Sequence, residues 1–444
     1  MTEQPTLVFK RTIPIRHKVD VFVAGGGPAG IAAALAAARQ GADVFVAEGQ
    51  ACFGGMGTAG LVPAFMRFTD GIHFLADGIG REVYERMKEE GDIPASADRP
   101  GGSVSIDVEA LKRVYDTLME ASGVDFAFHT QVIGVEANDG HVTYAYCAAK
   151  SGVFAVEADL FVDGTGDGDV AVWAGAPFEK GDEEGHMMPG TLCSLWADVD
   201  WKRADRRQAM ALEEAFENGV FTIEDRHLPG MWRVGENVGG GNIGHTFGVD
   251  GTDERSLTDA LLWGRKSLKE YEHYYKHYLE GFESMRLVAT GSLMGLRETR
   301  RIMGDYVLDL QDFRDRATFE DEIGRYNYPV DIHPSTPSSE DYEQFRAEFE
   351  SLRYQEGESY GIPYRILTPQ GLDNLLVAGR CVSTDRFMQG SIRVMPGCYI
   401  TGQAAGAAAA LAASEHISVH DVDVSSLRAT LKALGAYLPE PTTT

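Results

Sequence analysis

The sequence predicts an α/β fold whose first domain is interrupted by an α+β insert and then completed by the C-terminus. Three observations predict it. An apolar run enters a glycine triplet and an alanine-rich segment at Val19–Ala38. A second apolar run ends in a glycine turn at Leu160–Asp169, and a third precedes a small-residue segment at Leu372–Ala413. Between the last two, from about 195 to 365, charged helical stretches alternate with loops.

The first unit follows from its residues. Val19 to Ala24 fits a strand buried on both faces. Gly25, Gly27 and Gly30 follow at G-x-G-x-x-G spacing, at a strand-to-helix turn. Gly25 permits the tight turn, Gly27 lets a pyrophosphate approach the backbone, and Gly30 lets the helix lie close to the sheet. The N–H groups at the helix start face the phosphates, and the helix dipole favours their charge. Pro28 suits the first helical position, and Ala29 to Ala38 keep the helix slim. Val44 to Ala47 reads as the second strand. It ends at Glu48, close to the expected offset of about 20 residues, where a carboxylate accepts from both ribose hydroxyls and repels the 2′-phosphate of NADP.

Asp77–Glu90 and Asp107–Ser122 read as helices. Val124–Val135, His141–Ala148 and Val153–Ala158 read as strands, with a turn at Asn138-Asp139-Gly140. Cys52–Gly60 is a glycine-rich loop expected beside the ligand. Farther on, Trp201–Asn218 and Ser256–Gly281 read as helices, Gly239–Gly244 as a flexible loop near the substrate, and His333–Ser339 as a Pro-rich loop. Gly239, Gly241 and Gly244 repeat the glycine spacing, but no buried strand precedes them and no acid closes a second strand. No dedicated NAD(P)H domain is therefore expected. Leu372–Gly379 reads as a buried strand, and Gly402–Ala413 as a helix starting near Gly402-Gln403. The expected domains are 15–195 and 365–420 for the nucleotide-binding part, 196–364 for the insert, and 421–444 as a tail.

Composition narrows the partners. Hydrophobic content of 44% and charged content of 24% are ordinary for a soluble globular chain. A formal charge of −27, from 67 acids against 40 bases, argues against nucleic-acid and anionic-membrane partners. The five cysteines are scattered and form no C-x-x-C, which fits a reducing, cytoplasmic location and not a disulfide framework. No stretch has the length of a signal peptide core or a membrane span. A homo-oligomer is compatible with all of this.

Taken in order, the motifs resemble the FAD-dependent oxidoreductase family of the glutathione-reductase-like superfamily, near the fumarate reductase flavoprotein branch. The likeness runs from Val19 to Ala413. It rests on Gly25-x-Gly27-x-x-Gly30, Gly54-Gly-Met-Gly-Thr58, Val162–Asp169, Gly295–Asp305, Tyr328–His333, Ile362–Arg365, Asn374–Arg380 and Gly390–Gly406. The resemblance implies a Rossmann-type FAD-binding domain and FAD in an extended pose. Gly25, Gly27, Pro28, Ala29 and Gly30 would hold the pyrophosphate, and Glu48 the ribose. Gly54, Gly55, Met56 and Thr58 would line the ribityl and ring side, with Val132 meeting adenine through its backbone. Gly164, Thr165 and Gly166 would form a second turn, and Gly379, Arg380, Ile392, Arg393 and Gln403 the remaining wall. Gln50 stands where the family commonly has a basic residue. The helix after Gly402 would point its N-terminus at the flavin edge that gains negative charge on reduction.

The candidates for chemistry are Arg393, His333, Arg297 and His245, with Arg300, Asn242 and Tyr399 as further substrate-side groups. A histidine near neutrality suits a general base, and an arginine fork suits an anionic or carbonyl oxygen. Structural roles compete: ion pairs of Arg297 and Arg300 with Glu298, Asp305 or Asp309, and an acid partner for Arg393. Cys52 reads as a packing residue, because no second cysteine stands close enough for a disulfide-reductase mechanism. The function expected is an oxidoreductase passing a hydride between a small organic substrate and flavin N5, with a separate electron donor or acceptor and no metal. A flavin-dependent hydroxylase is the first alternative, although Gly379-Arg380 stands where that family tends to carry Gly-Asp. A non-redox FAD-binding protein is the second.

Overall fold

In the computed structural model of the protein, residues 7–439 are described apart from 9, 91–101, 205–207, 228–229, 339, 341–342, 344–346 and 350–351. The first part contains β1 (Ile15–Ala24), α1 (Pro28–Arg39), β2 (Val44–Ala47), α2 (Ile79–Glu89) and α3 (Val108–Ser122). It continues with β3 (Asp125–Ala127), β4 (Gln131–Asn138), β5 (His141–Ala149) and β6 (Gly152–Asp163). The middle contains β7 (Ser194–Ala197), α4 (Gln208–Glu217), β8 (Met231–Arg233), β9 (Gly239–Gly241), α5 (Glu254–Tyr278) and β10 (Arg286–Thr290). The chain returns through β11 (Glu322–Tyr326), β12 (Tyr360–Pro363), β13 (Leu375–Val377), α6 (Met395–Glu415) and α7 (Val424–Ala433).

Seven strands make the main sheet. β1 pairs in parallel with β2 and β6, β2 with β3, and the end of β6 with β13. The first half of β6 instead holds the antiparallel hairpin β4–β5. Val21–Ala24 and Val44–Ala47 are buried on both faces, as parallel strands covered on each side must be. The segment read as one strand, Val124–Val135, is two. His129 adopts a left-handed φ of 51°, and the N–H groups of His129 and Thr130 donate to the carbonyls of Gln50 and Glu48. That break leaves β3 on the sheet edge and brings residues 130–132 beside Glu48.

Helices α1 and α6 lie against each other almost backbone to backbone. A Cβ on Gly402 would fall 2.1 Å from the Ala29 carbonyl oxygen, and one on Gly406 2.0 Å from that of Ala33. This corrects the expected helix start. α6 begins at Met395, two turns before Gly402, and the glycines are mid-helix packing positions.

The middle segment has its own sheet, in the order β8-β9-β7-β10, and its own core around Trp196, Leu268, Tyr274 and Tyr275. Its buried members run from Leu192 to Met294, whereas residues from Ile302 to Ile366 pack on the main core. The second core is thus shorter than the expected 196–364. β11 and β12 pack there through Ile323, Tyr326, Tyr360 and Ile362, all buried in the first core. Gly239–Gly241 is a buried inner strand and not a flexible loop. Side chains there would collide: Cβ atoms on Gly240 and Gly241 would lie 2.4 Å from Pro63 Cβ and 2.8 Å from Trp196 Nε1. The tail also differs, since α7 packs on α6 through buried Leu427 and Leu431. Among the described residues, no helix is long and apolar enough to cross a membrane.

Candidate functional site

A cleft of about 490 Å³ opens at the carboxyl ends of β1, β2 and β6. Residues of the second core close its far side: Leu257 and Leu261 from α5, with Met294 and Leu296 from the loop after β10. This is the switch-point crevice where parallel α/β sheets place their ligands.

At the first turn, Gly25 takes φ of 87°, and a Cβ there would lie 2.8 Å from the Gly164 carbonyl oxygen, so the two glycine turns touch. Gly27 is the N-cap of α1, yet no side chain caps that end and Pro28 follows at the first position. A Cβ on Gly27 would meet nothing nearer than 4.0 Å, so it would stand in the cleft. An uncapped helix start facing open space fits a pyrophosphate.

Glu48 closes this end. Its Oε2 accepts from Gly26 N at 2.6 Å and its Oε1 from Gln50 N at 2.6 Å. Burial raises its carboxyl above the usual range, and the two backbone donors work against that rise. Each oxygen keeps a lone pair on the cleft wall, which fits a pair of ribose hydroxyls. Gln131 and Val132 line the same end. Among the described residues lining that end, none is basic, so nothing there replaces the basic residue missing at Gln50.

The cleft wall brings together Gly25, Gly27, Pro28, Ala29, Glu48, Gly55, Met56, Val132, Gly164, Thr165, Gly166, Gly379, Arg380 and Arg393. Five other expected contacts stand behind it. Gly30 is pressed against β1, where a Cβ would fall 1.9 Å from the Gly25 carbonyl oxygen. Gly54 backs onto Tyr115, and the buried Thr58 hydroxyl donates to the Phe53 carbonyl at 2.5 Å. Ile392 is in the core, and Gln403 Oε1 accepts from Ile79 N at 2.8 Å, capping α2. Arg380 reaches the wall with its fork occupied. It donates to the carbonyls of Gly166 (2.9 Å) and Leu296 (3.1 Å) and pairs with Asp167 at 2.6 Å.

At the other end, residues 245, 297, 331, 333 and 393 converge. Arg393 C-caps a short helix, Arg386–Ile392, one residue before the N-cap of α6. Its Nη2 donates to Asp331 Oδ2 at 2.9 Å, while its buried Nε has no acceptor among the described residues. Asp331 Oδ1 lies 3.3 Å from His333 Nε2, His333 Nδ1 lies 2.8 Å from His245 Nε2, and His245 Nδ1 lies 2.9 Å from Asp225 Oδ2. Arg297 Nη1 donates to the Pro189 carbonyl and to Thr191 Oγ1. Burial, then the charge of Arg393, lowers Arg297 to about 10, so it keeps its proton at neutrality. Burial also lowers all three of His227, His245 and His333. Burial opposes the charge of Asp331, but His333, Arg393 and Arg297 outweigh it and hold that carboxyl well below the usual range.

Both ring nitrogens of His333 and of His245 are therefore engaged, and neither ring lines the cleft. As general bases they have no free nitrogen to offer. Arg300 sits in an ion pair, with Asp169 at 2.6 Å, and not with the acids expected. Glu298 is taken by Arg301 and Arg386. Tyr399 shares a hydroxyl contact of 2.5 Å with Tyr115 in the core. Asp225, His227 and Asp331 were not singled out in the sequence, although Asp331 lies within the Tyr328–His333 motif.

A model of the family described as FAD dependent oxidoreductase matches residues 20–431. No curated protein matches the sequence. Among solved structures, a geranylgeranyl bacteriochlorophyll reductase-like protein from Thermoplasma acidophilum is similar at 13% identity and a TM-score of 0.47, over 94% of this chain and 83% of that one. The p-nitrophenol 4-monooxygenase of Pseudomonas putida is similar at 12% identity and a TM-score of 0.48, over 94% and 88%.

Proposed function

The chain belongs to the FAD-dependent oxidoreductase family, and from that premise we propose that it passes a hydride between FAD and a small organic substrate carrying a carboxylate or carbonyl oxygen. When bound, FAD supplies the redox chemistry. The chain's residues bind, orient and exclude water. The uncapped start of α1 would hold the pyrophosphate and Glu48 the ribose. Leu257, Leu261, Met294 and Leu296 would cover the reacting end.

One observation carries the substrate reading. Arg393 stands on the cleft wall with one nitrogen fixed by Asp331 and its buried Nε without an acceptor. A buried donor left unmatched costs about 1–3 kcal/mol, which an acceptor oxygen on a bound molecule would remove. The start of α6 lies alongside, at Met395 and Cys398 on the same wall. Its N-terminal dipole favours negative charge on whatever occupies that end.

The test is a panel of small carboxylic and carbonyl compounds, with their reduced counterparts, offered anaerobically to the FAD-loaded protein. Expected is flavin bleaching by a reduced member, or reoxidation of photoreduced flavin by an oxidised one, with turnover to dichlorophenolindophenol. Flavin that dithionite reduces but no member of the panel affects would overturn the substrate class. Fast bleaching by NADPH with oxygen-dependent substrate hydroxylation would establish the hydroxylase alternative instead.

A further inference from the structure

Two imidazoles confront each other behind the cleft, each with a carboxylate on its far side. His245 Nδ1 faces Asp225 at 2.9 Å and His333 Nε2 faces Asp331 at 3.3 Å. A carboxylate at one ring nitrogen fixes the N–H on that side. The two nitrogens that the rings turn to each other, His245 Nε2 and His333 Nδ1, are 2.8 Å apart. Either a proton, as in the hydrogen bond that this spacing allows, or a metal ion can lie between them.

A third imidazole decides between these. The ring of His227 lies 4.3 Å from that of His333 and 5.2 Å from that of His245, centroid to centroid. One nitrogen from each of the three falls within 4.8 Å of the others. A shared proton needs two nitrogens and gains nothing from a third. A metal ion uses neutral imidazoles, three of them, and two of these rings have a carboxylate behind them.

We propose that His227, His245 and His333 bind one divalent first-row transition ion of the zinc or ferrous class, with Asp225 and Asp331 orienting two of the rings. All-imidazole donors without a thiolate select that class. A tetrahedral ion at about 2.0–2.1 Å from each nitrogen holds them about 3.4 Å apart. The 2.8 Å pair opens by about 0.6 Å and the longest separation, at most 4.8 Å, closes by up to about 1.4 Å, through ring rotations. Beside the cluster is a cavity of about 10 Å³ lined by Asp225, His227, His245, Phe247 and Pro334. That is about the room of one water, which supplies the fourth ligand. The ion ties the second domain, through His227 and His245, to the returning segment at His333. Because His333 carries Asp331, and Asp331 carries Arg393, the ion is a positioning element for the cleft.

The experiment uses the untagged, full-length, FAD-loaded protein. It is incubated with Zn²⁺ or, anaerobically, Fe²⁺, desalted against a mild chelator and analysed by elemental mass spectrometry and metal K-edge absorption. Expected is close to one ion per chain with an imidazole-dominated, nitrogen/oxygen shell. His227→Gln and His245→Gln should each lower retention at least tenfold while FAD content stays unchanged. The wild-type measurement stands alone if either variant fails to fold. Retention well below one ion per chain, or a shell containing sulfur, overturns the site. So does full retention by folded His227→Gln and His245→Gln proteins.

Discussion

Arg393 and Asp331 are joined by a hydrogen bond of 2.9 Å from Nη2 to Oδ2, and Asp331 also accepts from the same nitrogen through its backbone carbonyl at 3.2 Å. Two acceptors on one residue fix the plane of the guanidinium, so its remaining edge has a defined direction. Lysine keeps the charge but neither the plane nor Nε. Arg393→Lys should therefore fold and hold FAD but reduce its flavin at least tenfold more slowly, about 1.4 kcal/mol. Stopped-flow reduction under anaerobic conditions measures this. An unchanged rate would assign Arg393 to the scaffold.

Glu48→Ala removes the acceptors of Gly26 N and Gln50 N as well as those expected for the ribose. Charge-assisted hydrogen bonds of this kind contribute about 1.5–3 kcal/mol. FAD affinity should fall by at least tenfold, read as free flavin fluorescence on dilution. Glu48→Gln can still accept at one oxygen and should lose less. Equal losses in the two variants would mean that the charge, and not the acceptor geometry, holds the ribose.

How much of this was legible in the sequence depended on whether a residue's role was local. Gly25, Gly27 and Glu48 act within one βαβ unit, and their spacing carried the turn, the helix start and the acid. Gly30 and Gln403 stand in the right motifs but touch β1 and α2, because a motif fixes the backbone path and not which side of it faces the cleft. Arg393, His333, His245 and Arg297 were singled out by chemistry, yet nothing in one dimension brought them to one place. The roles of Asp331, although it lies within the quoted Tyr328–His333 motif, and of Asp225 were not legible because they arise only when His333 and His245 lie against them. Gly239–Gly241 misread as a loop for the same reason: the bulk that excludes side chains there, Pro63 and Trp196, comes from other parts of the chain.

The α1–α6 contact gives a stability prediction separable from binding. Gly406→Ala improves intrinsic helix propensity by about 1 kcal/mol but places a methyl 2.0 Å from the Ala33 carbonyl oxygen. Overpacking of this kind costs about 1–3 kcal/mol, and a clash with backbone lies at the upper end. The melting temperature of the FAD-saturated variant should fall, with little change in FAD affinity. Gly402→Ala meets Ala29, which lines the cleft, and should weaken both. Identical FAD affinities for the two variants would contradict the depth assigned to each.

Asp163 ends β6 in full burial, and burial pushes its carboxyl up to about 6. Thr165 Oγ1 at 2.7 Å and Ala171 N at 2.9 Å donate to it and hold the rise in check, while the nearby Asp169 adds to it. Cys381, the other titratable group facing it, stays a neutral thiol because burial raises it. A folded-state value above the unfolded one means that the folded protein binds more protons between the two. The stabilising part is then complete below about pH 4 and is lost as pH rises through about 6. A rise of this size corresponds to roughly 3 kcal/mol. Asp163→Asn has no such titration, whatever its fixed cost from presenting an amide to Ala171 N. The stability of the variant relative to wild type, from urea unfolding with FAD saturating, should therefore shift in the variant's favour by a few kcal/mol from about pH 4 to about pH 7. A difference that stays flat across that range would show that Asp163 keeps its charge in the folded protein.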